Sequence, residues 1–157
     1  MILYIDGDAF PNVLKPILLR AIERFKLKTF AISNQSISIG KSKYITYTIV
    51  SAGADEADHR IVEMVAEGDL VITADIPLAD RVITKNAHAI DHRGGLFSAD
   101  NIKQSLAIRN LMQEIRDTGE ITKGPTPFSQ KDAHKFANKL DQFLTKQKMN
   151  HERTTSE

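Results

Sequence analysis

Short apolar runs alternate along this chain with longer stretches in which apolar residues recur at helical spacing. Ile2-Leu3-Tyr4-Ile5 is wholly apolar, as expected of a strand buried on both faces. From about Pro11 to Phe25, Val13, Ile17, Leu18, Ala21, Ile22 and Phe25 recur near the helical period, with Lys15, Arg20, Glu23 and Arg24 on the remaining surface. Thr29 to Ile32 reads as a second strand, and β-branched Thr46 to Val50 as a third. Between them, Ser33 to Lys43 is rich in Ser, Gly and Lys and reads as a loop. Asp55 to Ala66 predicts a helix with Ala57, Ile61, Met64 and Val65 inward. Gly68-Asp69 ends it, Leu70 to Thr73 predicts a fourth strand, and Pro77 opens a helix to about Lys85. His88 to Ile90 is a fifth strand. Strands alternating with helices imply a parallel, doubly wound α/β sheet.

Beyond Ile90 the pattern turns helical. Ala99 to Thr118 predicts one long helix with Ile102, Leu106, Ile108, Leu111, Met112 and Ile115 on its apolar side, stopped by Gly119. Gly124-Pro125-Thr126-Pro127 reads as a loop, and Ser129 as the cap of a last helix to about Met149. Its inward residues are Ala133, Phe136, Ala137, Leu140, Phe143 and Leu144. Residues 1–149 are expected to form one domain, and the polar residues 150–157 a frayed tail.

Composition narrows the chemistry. A formal net charge of +1 gives no global field toward nucleic acid or membrane, so any such contact must be a local patch. With no cysteine, the chain has no disulfide, no thiol nucleophile and no thiolate-zinc site, which suits a reducing, cytoplasmic setting. The N-terminus lacks the basic and apolar regions of a signal peptide, and no apolar run approaches the ~20 residues of a membrane span.

Acids gather where the predicted strands end: Asp6 and Asp8, then Asp55, Glu56 and Asp58, then Asp75 and Asp80. Open α/β sheets bind ligands beyond the carboxyl ends of their strands. Oxygen donors there suit a hard cation such as Mg²⁺ or Mn²⁺. Asp6 and Asp8, two apart in an extended segment, would point the same way. Each cluster also has a plainer reading. Asp-Gly is a turn pair, Asp55 and Glu56 favour the start of a helix, and Asp75 stands where a cap is needed. His59, His88 and His92 read better as packed or solvent-facing than as ligands. Arg93-Gly94-Gly95 reads equally as a phosphate grip and as a glycine turn.

Several strings resemble a known family. Ile5-Asp6-Gly7-Asp8-Ala9, Ala54-Asp55-Glu56-Ala57-Asp58, Gly68 to Ala79 and Gly124-Pro125 with Phe128-Ser129 are similar to the YaiI/YqxD family of the PIN-like group, over about residues 1–145. The resemblance implies a PIN-like α/β sandwich: a central, mainly parallel sheet flanked by helices, plus C-terminal helices. It also implies a nuclease that cuts phosphodiester bonds with Mg²⁺ or Mn²⁺. Asp6, Asp58, Asp75 and Asp80 would then be catalytic, and Asp6, Asp8, Asp55, Asp58, Asp75 and Asp80 the metal-binding set. Thr73 matches a hydroxyl residue of such sites. Lys15 and Arg93 would contact phosphate, and Lys41 and Lys43 would steer the strand. The expected partner is RNA or single-stranded nucleic acid. Two positions depart from the family pattern: Phe10 stands where a cysteine is common, and Asp91-His92 precedes Arg93-Gly94 where Asn-Pro is common. Two other functions fit less of the sequence. Asp6-Gly7-Asp8 suits a haloacid-dehalogenase-type phosphatase, but the later acid, Asp69, lies before its strand. A non-catalytic PIN-like domain binding RNA or protein is the other.

Overall fold

The computed structural model describes residues 1–53, 55–119 and 127–155. Six strands form one sheet: β1 (Leu3–Asp6), β2 (Thr29–Ser33), β3 (Ile45–Ile49), β4 (Leu70–Ile72), β5 (His88–Ile90) and β6 (Leu96–Phe97). Their order is β3-β2-β1-β4-β5-β6. The first five run parallel, and among the described residues only the β5–β6 pair is antiparallel. The helices are α1 (Lys15–Phe25), α2 (Glu56–Met64), α3 (Ile76–Thr84), α4 (Ile102–Asp117) and α5 (Gln130–Thr155). A short 3-10 turn, Asn12–Leu14, leads into α1. Among the described residues no helix is long and apolar enough to cross a membrane.

Side-chain alternation explains the layers. Leu3 and Ile5 of β1, Leu70 and Ile72 of β4 and Ile90 of β5 face one core, covered by α1 (Leu18, Ile22) and α5 (Phe136, Leu140, Phe143). Tyr4, Val71 and Ala89 face a second core, covered by α2 (Ala57, Ile61), α3 (Leu78, Ala79, Val82) and Ile102 of α4. The Tyr4 hydroxyl donates to the Met64 carbonyl at 3.2 Å, anchoring the end of α2 over β1. The parity that buries Tyr4 sends Asp6 toward the α2–α3 layer. The order reverses direction between β1 and β4, so the sheet's switch point, where such folds hold ligands, lies beside Asp6.

The structure departs from the sequence reading in four places. A sixth strand, β6, follows a turn too short and polar for a strand pattern to register. In that turn Asp91 Oδ1 accepts from the amides of Arg93 (2.8 Å) and Gly95 (2.7 Å). Gly94 has φ +86°, and a Cβ there would lie 2.6 Å from the Lys135 carbonyl oxygen, so the glycine serves a turn packed on α5. α4 buries only Ile102 and packs on α3, whereas Ile108, Leu111 and Met112 are about half exposed. These three belong to the apolar side that periodicity marks, and that side is left largely open. α5 stays helical to Thr155 instead of fraying after Met149. Last, Lys41 and Lys43 precede the amino end of β3, away from the edge where the acids gather. Gly124, Pro125 and Thr126 of the expected loop lie outside the described residues.

Candidate carboxylate site and its neighbouring cavity

Asp6 ends β1, the central strand, and is buried. Its Oδ2 accepts a hydrogen bond from the Thr73 hydroxyl at 2.8 Å. Thr73 follows β4, is fully buried, and its Oγ1 accepts from the Asp75 amide at 3.0 Å. One threonine thus orients an acid from each of two adjacent strands. Asp75 Oδ1 caps α3 by accepting from the Leu78 amide at 3.0 Å. Asp58, half-buried in the first turn of α2, completes the group.

The electrostatics show how close these acids stand. Burial first, and the charges of Asp8 and Asp75 to a lesser extent, raise the Asp6 carboxyl to about 6 against the hydrogen bonds from the Thr73 hydroxyl and the Asp8 amide, which oppose them. Asp58 is pushed up to about 7, first by burial, then by the charges of Asp75 and Asp6, a hydrogen bond shared with Asp75, and Asp55. Carboxylates that repel in this way hold a proton unless a cation replaces it. The donor set is therefore hard oxygen with excess negative charge, the chemistry that suits Mg²⁺ or Mn²⁺. The Asp75 side chain lies within hydrogen-bonding reach of Asp58 and favours the protonated form of Asp58. No group of three Asp, Glu or His among the described residues is arranged to hold a metal ion.

The other expected residues distribute differently. Asp8 turns away from Asp6: its Oδ1 accepts from the Ser33 hydroxyl at 3.0 Å and the Asn34 amide at 3.2 Å. The strand ends at Asp6 and Ala9 takes φ +55°, so the alternation that would align the two acids stops one residue too soon. Gly7 lets the turn pack closely on β2, since a Cβ there would lie 2.9 Å from Ser33 Cβ. Asp55 sits at the N-cap of α2 with φ +69° and makes no side-chain capping bond. Asp80 pairs with Lys103 of α4 at 3.0 Å and is absent from the charges that shift Asp6 and Asp58. Lys15 begins α1 and is half-buried. Arg93 pairs with Asp132 at 2.8 Å and stacks over the Phe128 ring. His88 packs edge-on against Phe143, and His92 against Phe10, which is itself buried. Asp69, the later acid of the phosphatase reading, stands at the amino end of the sheet and accepts from the Ile2 and Ala66 amides, each at 2.9 Å.

A cavity of about 870 Å³ opens beside the carboxylates and touches them through Asp75. Its walls carry Arg93, Arg109 and Arg116 together with Phe97, Met112 and Phe128. Here is the local basic patch that the overall charge conceals. Arg109 and Arg116 escaped the sequence reading, although they lie seven apart on a helix and so share a side.

Thr73→Val is expected to lower stability by about 1–3 kcal/mol, because it strips a donor from buried Asp6 and an acceptor from the Asp75 amide while keeping the shape. Thermal melts compare the two proteins. An unchanged melting temperature would show that the hydroxyl does not hold the two acids together.

Comparison with known proteins came out on the side of one family. A family model described as "Uncharacterized BCR, YaiI/YqxD family" matches residues 4–146. Curated relatives carry the name UPF0178 protein. That of Sulfurimonas denitrificans is 69% identical over 146 residues, covering 93% of this chain and 97% of the relative. That of a Sulfurovum species is 64% identical over 146 residues, covering 93% and 99%. That of a Nitratiruptor species is 63% identical over 144 residues, covering 92% and 95%. No solved structure matches.

Proposed function

Because the chain belongs to the YaiI/YqxD family, we propose for it the chemistry its own carboxylates support: metal-dependent hydrolysis of phosphodiester bonds in RNA or single-stranded nucleic acid. The observation that carries this is the convergence of Asp6, Asp58 and Asp75 at the switch point of the sheet, with two of the three holding protons far above the ordinary aspartate range. The strand order is compatible with a PIN-like sandwich.

Asp6, Asp58 and Asp75 would hold Mg²⁺ or Mn²⁺, with Asp55 at the margin. When bound, such an ion polarises a phosphate and lowers the pKa of an attacking water. The protein supplies the rest. Thr73 fixes the directions of Asp6 and Asp75. The capping bond to Leu78 commits one Asp75 oxygen, which leaves the other for the shared site. Asp58, whose carboxyl is raised to about 7, would hold or pass a proton near the reacting phosphate. Arg93, steadied by Asp132, would meet the flanking phosphate. We place this work in the cytoplasm, the setting that a chain without cysteine fits.

Asp75 tests the proposal, because its two oxygens have separable duties. Asp75→Asn keeps the capping oxygen but removes the charge, so Mn²⁺-dependent cleavage of a single-stranded RNA should collapse at a nearly native melting temperature. Asp75→Ala should lose both activity and about 1 kcal/mol of cap. If Asp75→Asn keeps full metal-dependent activity, Asp75 is a cap alone and the hydrolase reading fails.

A further inference from the structure

We infer that the cavity beside Asp75 is a nucleotide subsite, in which Arg109 and Arg116 of α4 hold the backbone of a single strand and Phe97 and Phe128 receive an unstacked base. The inference rests on the proposed hydrolase for its location, since the strand would run from this cavity onto the carboxylates.

Three observations converge on it. The volume, about 870 Å³, lies within the ordinary range of small-molecule sites. Arg109 and Arg116 stand on one side of α4, about 10 Å apart along the axis, and so reach along a strand and not onto a single phosphate. Both are exposed, and among the described residues their hydrogen-bond partners lie on α4 itself: Arg109 donates to the Asn110 side chain and Arg116 to the Met112 carbonyl.

The aromatics select the kind of nucleic acid. Arg93 lies 5.8 Å over the Phe128 ring centre and Asp132 holds Arg93, so this ring is braced before any ligand arrives. A ring stacks on a base only if the base face is free, which a duplex denies and a single strand offers. The half-exposed Met112 adds apolar surface on the same wall. A second copy of this chain fits α4 less well. In a twofold antiparallel pairing the same edge of each helix meets, which would press Arg109 and Arg116 against their own copies.

The test is binding without cleavage. A fluorescein-labelled single-stranded oligoribonucleotide is titrated with full-length protein in EDTA, and anisotropy is followed at several salt concentrations. Arg109→Ala/Arg116→Ala should bind roughly tenfold or more weakly, and its log K against log salt slope should flatten by about 1.4, two phosphates at about 0.7 each. Lys41→Ala/Lys43→Ala removes the same charge at the far edge of the sheet and should bind as the wild type. A blunt duplex of the same sequence, and inorganic polyphosphate as competitor, should each bind roughly tenfold more weakly than the single strand. Wild-type protein that ignores the oligonucleotide, an arginine variant that binds normally, or a lysine variant that falls equally would overturn the subsite. Equal binding of polyphosphate would reduce it to an anion patch and also overturn it. The two proposals fail separately. Arginine-dependent binding by a protein that cleaves nothing with Mn²⁺ would leave the subsite and remove the hydrolase. Cleavage unaltered in KM by the arginine changes would do the reverse.

Discussion

Asp58→Asn should abolish metal-dependent cleavage and at the same time make the metal-free protein more stable. The two effects have one cause. Burial and the charges of Asp75 and Asp6 hold the Asp58 carboxyl up to about 7, so above that pH its ionised form strains the fold. Asparagine has the same shape and no charge to repel. The relief is less than the full shift implies, because Asp58 is only half-buried and solvent screens it; about 1–2 kcal/mol at pH 8 is expected. For a chain of 157 residues that is roughly 2–8 °C in melting temperature. In catalysis the same change removes a charged oxygen from a site whose ion would supply several kcal/mol, so the rate should drop by roughly a hundredfold or more. Most substitutions that inactivate a protein by damaging it also lower its melting temperature. Inactivation with stabilisation is therefore a signature of a charge kept for function. An active Asp58→Asn would remove Asp58 from the site, and an inactive variant that melts lower would mean that the acids do not strain one another.

Much of this site could be read from sequence because parallel sheets impose it. A buried strand shows as an uninterrupted apolar run, and the residue that follows must emerge at the carboxyl edge. Hence Asp6 and Asp75 could be placed together before any coordinates. Alternation misled where it was carried past the strand: Asp8 belongs to the turn, and Ser33 and Asn34 claim its carboxylate. Asp80 failed for a rotational reason. Five residues of helix turn through about 500°, which leaves Asp80 about 140° from Asp75 and facing Lys103. For α4, periodicity reported an apolar side but not whether anything covers it, and Ile108 and Leu111 on that side lie outside. The arginine cavity was the least legible. Its walls come from the start of α3, the β5–β6 turn, α4 and Phe128 just before α5, and no local pattern brings those segments together.

Mn²⁺ should stabilise the protein strongly at pH 8 and hardly at pH 5, and Asp58→Asn should erase most of that gain. In the unfolded chain Asp6 and Asp58 lose their protons near the ordinary value of 3.8, whereas in the fold they keep them up to about 6 and about 7. Between roughly pH 4 and pH 7 the folded state therefore binds more protons than the unfolded one. Stability contributed by these acids falls as pH rises through that window and stays low above it. His88 and His92 work the other way. Burial lowers both, so the fold prefers them neutral, and their contribution rises with pH up to the ordinary histidine range. A raw profile mixes the two trends; the difference between wild type and Asp58→Asn isolates the acids. That difference should open between pH 5 and pH 8. A bound cation reverses it, because it takes the place of the protons and binds only where the carboxylates converge, in the fold. At a hundred times its Kd such a ligand adds about 2.7 kcal/mol. At pH 5 protons hold the same oxygens, and the ion has little to displace them with. Melting curves at both pH values, with EDTA or Mn²⁺, for wild type and Asp58→Asn, give eight conditions and one required pattern. A Mn²⁺ shift that is equal in both proteins, or equal at both pH values, would locate the ion elsewhere. No shift at pH 8 would leave the three acids as a carboxylate cluster without a metal.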